Sequence, residues 1–137
     1  MRTAMLAAMM IVMMSSALAA TPQEVLGGYA TQVKQGNAAF KEFSAGQGEQ
    51  FYRAVRTHSS GRQISCAACH TSNPKNTGTH EKTRKEIQPI APSANKDRFT
   101  DSAKVEKWFK RNCQDVLERA CTAQEKGNFI AYLLSVK

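Results

Sequence analysis

Four stretches of the chain repeat their apolar residues at the helical spacing of three and four, and none alternates with the two-residue period of a strand. The first opens on Thr21-Pro22-Gln23-Glu24, a capping box with proline at the first helical position. Val25, Leu26, Tyr29, Ala30 and Val33 follow as its buried face, and Gly36-Asn37 ends it. Residues 38–45 have no clear period, and Gly46-Gln47-Gly48 reads as a break. A second helix is predicted from Glu49 to about His58, with Phe51, Tyr52 and Val55 inward, closed by Ser59-Ser60-Gly61. Thr100-Asp101-Ser102 supplies N-caps for a third helix that reaches Asn112 or a little further. A second capping box, Thr122-Ala123-Gln124-Glu125, starts a fourth, which carries Phe129, Ile130, Leu133, Leu134 and Val136. The predicted fold is therefore all-α, with the first and last helices crossing to close the core.

Two stretches stand apart from this pattern. Residues 1–20 hold one charge, Arg2, then an apolar run and Ala17-Leu18-Ala19, a small-x-small cleavage pattern. They read as a secretory signal peptide, leaving a domain at 21–137 that is exported to the periplasm and does not insert in the membrane. The apolar run is shorter than the ~20 residues that span a bilayer. The other stretch is polar, Thr71 to Asp97, with Pro74, Gly78, Pro89 and Pro92. A segment of that length in a compact domain either covers a ligand or moves. Its apolar strip, Ile87, Pro89, Ile90 and Pro92, is expected to pack on a bound group, with a plain surface loop as the alternative.

Between the second and third helices lies Cys66-Ala67-Ala68-Cys69-His70. Two thiols three residues apart can add across the vinyl groups of a haem, and the next histidine then lies under the iron. Thioredoxin-like chemistry would need a βαβ pattern, which is missing, and zinc would need a second ligand pair of suitable spacing. The expected cofactor is one haem c, held through Cys66 and Cys69, with His70 as proximal ligand. A glycine, an aromatic-bearing helix and then the haem motif resemble the order of a small class I cytochrome c. In an oxidising compartment the remaining cysteines, Cys113 and Cys121, are left to pair with each other.

All six methionines fall within residues 1–14, so the usual thioether sixth ligand of a c-type haem is missing from the predicted domain. His58, His80, a lysine, an asparagine, water or nothing at all remain. Val105, Trp108, Phe109, Asn112 and Val116 share one face of the third helix, which makes Asn112 a polar group on an apolar stripe. Either a haem iron satisfies its amide, or Asn112 caps the helix. The formal charge of +8 is spread along the chain without a nucleic-acid motif. It suits steering towards an acidic redox partner, or a plain solvated surface.

The C-terminal half carries a resemblance. Ala91-Pro92-Ser93-Ala94, Asp97-Arg98-Phe99-Thr100-Asp101-Ser102-Ala103, Val105-Glu106-Lys107-Trp108, Arg111-Asn112-Cys113 and Cys121-Thr122 are similar to the sphaeroides haem protein family of oxygen-binding class I cytochromes c. The match covers most of residues 66–137 and is weak in the N-terminal helices. The resemblance implies that Asn112 binds ferric iron through its side-chain oxygen and that a Cys113–Cys121 disulfide stands beside it. A carbonyl oxygen is a weak, hard donor that suits Fe(III) better than Fe(II), so reduction is expected to release Asn112 and let oxygen, nitric oxide or carbon monoxide bind near Asn112 or Trp108. A multihaem cytochrome c and a membrane cytochrome b are the implied electron partners. Plain electron transfer with a six-coordinate haem is the alternative function. A peroxidase or nitric-oxide-oxidising enzyme ranks third, since its distal acid–base group would have to be His58 or His80.

Overall fold

The computed structural model describes residues 19–137, so the predicted signal peptide lies almost wholly outside the described residues. Five helices carry the core: α1 (Pro22–Gly36), α2 (Ala45–Arg53), α3 (Cys66–His70), α4 (Ser102–Leu117) and α5 (Ala123–Ser135). Both capping boxes form as the sequence predicts, Thr21 with Glu24 and Thr122 with Glu125. One core lies among α1, α4 and α5, where Val25, Tyr29, Val105, Phe109, Cys113 and Ile130 are buried. A second core gathers Tyr52, Ile90, Tyr132 and Leu133 around Cys66 and Ala67. Phe99 and Phe129 pack against both.

The Gly46-Gln47-Gly48 stretch is not a break. Ser44 caps α2 by accepting from the Gln47 backbone N–H, and both glycines lie inside the helix. The reason is the crossing with α5. A Cβ at Gly48 would sit 1.9 Å from the Asn128 carbonyl oxygen, a closeness only glycine permits. Asn128, buried at the same crossing, accepts from the Ser44 N–H at 2.9 Å and donates to Gln47 Oε1 at 2.9 Å. Thus α2, as well as α1, packs on α5.

Helix α2 also ends five residues earlier than the periodicity predicts. Arg56 folds back to donate to the carbonyls of Ala54, at 2.8 Å, and Phe51, at 3.4 Å, which occupies the helix end. The chain then makes a hairpin from β1 (Arg56–Thr57) and β2 (Gln63–Ile64), turning at Gly61 with φ 80°. Val55, assigned inward from its spacing, is 67% exposed. A second hairpin joins β3 (Gly78–Thr79) to β4 (Glu86–Ile87) inside the polar segment. Strands of two residues are too short for an alternating pattern to be seen.

The polar segment is stitched down. Ile90 and Ala91 both donate to the Pro74 carbonyl at 3.0 Å, and Ile90 and Ala91 are buried. Among the described residues no helix is long and apolar enough to cross a membrane.

Candidate haem-binding site

The β1–β2 hairpin delivers Ser65, whose hydroxyl caps α3 by accepting from the Ala68 N–H at 3.1 Å. One helical turn and a half then carries Cys66, Cys69 and His70 together, with Cys66 packed against the second core. The end of α3 is held by Tyr52, which the sequence marks only as an inward apolar position, and by Gly78. Tyr52, fully buried, donates its hydroxyl to the carbonyls of Thr71, at 2.5 Å, and His70, at 3.1 Å. Gly78 approaches so closely that a Cβ there would lie 2.0 Å from the Cys69 carbonyl oxygen.

Burial, and then the nearby charge of Arg98, push the His70 imidazole down to about 4. The ring is therefore neutral across the physiological range, with a lone pair free for a metal. Burial pushes the Cys66 thiol up to about 11, the reverse of what a dithiol oxidoreductase requires of its nucleophile. Arg98 itself is fixed by donating to the carbonyls of Pro89, at 2.8 Å, and Gln88, at 2.7 Å, so it ties the apolar strip to the start of α4.

Helix α4 carries the other candidates. Val105, Phe109 and Cys113 form its buried face, while Trp108 and Asn112 lie one turn apart along the edge of that face and are exposed. Asn112 is thus not part of the face that α4 buries against the protein core. Nor does it cap the helix, because α4 continues to Leu117 and ends on Glu118 in the left-handed conformation. Arg111 stacks over the Trp108 ring at 5.9 Å. Next to Asn112, Cys113 is bonded to Cys121, so the disulfide joins the end of α4 to the start of α5.

The two histidines considered as sixth ligands have other partners. His58 Nδ1 lies 2.9 Å from the Ser60 hydroxyl, and its Nε2 is 3.5 Å from Glu118. His80 Nδ1 accepts from the backbone N–H groups of Lys82 and Thr83, at 3.2 Å each. Glu118 also accepts from the Ser59 N–H at 2.9 Å and so fastens the hairpin before α3 to the end of α4. Glu118 was missed because nothing in its local sequence marks a contact 59 residues away.

The donor set fits a covalently attached haem: two unbonded thiols on one short helix, followed at once by a neutral imidazole. Among the described residues no cluster of three or more histidine, cysteine and acidic side chains offers a competing metal site. A helical domain built around such a segment defines a c-type cytochrome. Residues 38–133 match the family described as a domain of unknown function, DUF1924. Cytochrome c'' of Methylophilus methylotrophus is 42% identical over 107 residues, 78% of this chain and 74% of the relative. The cytochrome c-type protein SHP of Cereibacter sphaeroides is 39% identical over 113 residues, 82% of each. The crystal structure of oxidised cytochrome c'' from the first organism superposes with a TM-score of 0.79 at 39% identity, covering 85% of this chain and 94% of that one. The structure of oxidised SHP, an oxygen-binding cytochrome c, gives 0.71 at 36% identity, covering 84% and 96%.

The chain belongs to this DUF1924 family, the cytochromes c that resemble sphaeroides haem protein, and carries one covalently attached haem c. The family match begins at residue 38 and so reaches back beyond residue 66 to take in α2, where the sequence resemblance was weak.

Proposed function

We propose that the protein is an exported, periplasmic mono-haem cytochrome c that exchanges electrons with another redox protein and binds a small diatomic gas when reduced. In this reading Cys66 and Cys69 hold the haem by thioether bonds and His70 is the proximal ligand. The Asn112 side-chain oxygen is the sixth ligand of the ferric state. The haem supplies the redox change and the open coordination position. The chain would supply the switch: an amide oxygen is a hard, weak donor that suits Fe(III) better than Fe(II), so a haem-bound Asn112 would be released on reduction. With the haem bound, oxygen, nitric oxide or carbon monoxide would take the open position, with Trp108 one helical turn from Asn112 to influence it.

The observation that supports this most is the position of Asn112. It stands exposed on α4 beside Trp108, neither buried nor used as a cap, and is braced by the disulfide at the next residue. With no methionine after residue 14, and with His58 and His80 turned to partners of their own, few other side chains suit the role. Among the relatives, SHP is an oxygen-binding cytochrome, and the solution structure of cytochrome c'' was analysed for haem-ligand detachment. The electron partner is expected to be a multihaem cytochrome c, itself supplied by a membrane cytochrome b. Optical spectra of the purified ferric and ferrous protein, with and without carbon monoxide, test the reading. A ferrous protein that binds carbon monoxide rapidly supports it. A protein that is six-coordinate in both states and ignores the gas is a plain electron carrier instead.

A further inference from the structure

Tyr52 has the largest side chain among those that are almost fully buried. A phenylalanine would fill the same space without the need to satisfy a buried hydroxyl, so the position of that hydroxyl calls for a reason. It meets the carbonyls of His70 and Thr71, the last residue of α3 and its C-cap. A helix end leaves such carbonyls without intrahelical partners. Thr71 has φ 65°, a conformation that a β-branched residue rarely adopts and that needs its surroundings to hold it. Gly78 also closes on the same backbone, 3.1 Å from the His70 Cα by the position of a would-be Cβ. The segment that presents the His70 imidazole is therefore gripped through its main chain by groups from α2 and from β3.

We propose that Tyr52 is a positioning residue for His70: its hydroxyl, bonded to the His70 and Thr71 carbonyls, fixes the last turn of α3 and with it the plane of the proximal imidazole. This rests on His70 as proximal ligand.

Proton NMR of the ferric holoprotein with cyanide in the sixth position tests this, because the pattern of haem-methyl shifts reports the orientation of the axial imidazole whichever group cyanide displaces. Tyr52→Phe is expected to shift that pattern. Tyr132→Phe removes a hydroxyl from the same core whose partner is Arg53 at 3.5 Å, and is expected to leave the pattern in place. An unchanged pattern in Tyr52→Phe, or an equal shift in both variants, overturns the proposal. In the wild-type protein a slowly exchanging Tyr52 hydroxyl proton is expected, and its absence overturns the proposal without any variant having to fold. A failure of Asn112 as sixth ligand appears instead in the ferric spectrum without cyanide, so the two outcomes are distinct.

Discussion

Single residues join the elements of this molecule at a few polar contacts, and the one among Tyr29, Glu106 and Lys126 depends on pH. Tyr29 donates to Glu106 at 2.5 Å and Lys126 donates at 2.8 and 3.0 Å, linking α1, α4 and α5. Burial alone would raise the Glu106 pKa, but the hydrogen bonds from Lys126 and Tyr29 outweigh it and hold the carboxyl below its ordinary range. A carboxylate depressed in this way stabilises the fold above its unfolded value, about 4.3, and loses that contribution as pH falls through the folded value. Denaturant melts from neutral pH to about pH 3 should therefore show stability falling with acid, and a shallower fall in Glu106→Gln. An equal slope in the variant would remove Glu106 from the account. At this scale the sequence was legible where structure is local: the two capping boxes form as their spacing predicts, and Cys66, Cys69 and His70 fall on one short helix. Tyr52 and Arg98 were not legible as polar contacts, because their partners are backbone carbonyls brought near by the fold.

At the scale of elements, helix identity followed from caps and periodicity, and the errors fell where tertiary contact overrode local preference. Two glycines in one turn read as a break by propensity, yet α2 keeps them because the α5 backbone lies against Gly48. Gly48→Ala is accordingly expected to destabilise the protein by roughly 1–3 kcal/mol or more through overpacking, read as a lower denaturation midpoint. Gly46, near only the Ser44 hydroxyl at 3.8 Å, should tolerate the same change with little loss. The α4–α5 junction depends on its disulfide, which closes a step of eight residues and holds Asn112 next to it. Replacing Cys113 and Cys121 together by serine is expected to cost about 2–3 kcal/mol by the chain-entropy model and to loosen the ferric coordination. A ferric spectrum unchanged by that replacement would show that the disulfide does not support Asn112. The early end of α2 was illegible for a related reason: Phe51, Tyr52 and Val55 keep helical spacing, while the Arg56 guanidinium that stops the helix acts from outside it.

For the whole molecule, the short helix that carries Cys66, Cys69 and His70 packs against the second core, while α4 presents an asparagine on its exposed edge. Free-thiol titration of the denatured, unreduced holoprotein should find none, since two cysteines join haem and two join each other. A titratable pair would break either the attachment or the bridge. The central claim is that iron trades an asparagine oxygen for a gas when it is reduced. The most direct measurement compares Asn112→Ala with the wild type by electron paramagnetic resonance in the ferric state and by carbon monoxide binding in the ferrous state. The account predicts an altered ferric signal in the variant and ferrous gas binding in both proteins. A ferric signal that survives Asn112→Ala unchanged, or a wild-type ferrous protein that excludes carbon monoxide, would contradict it.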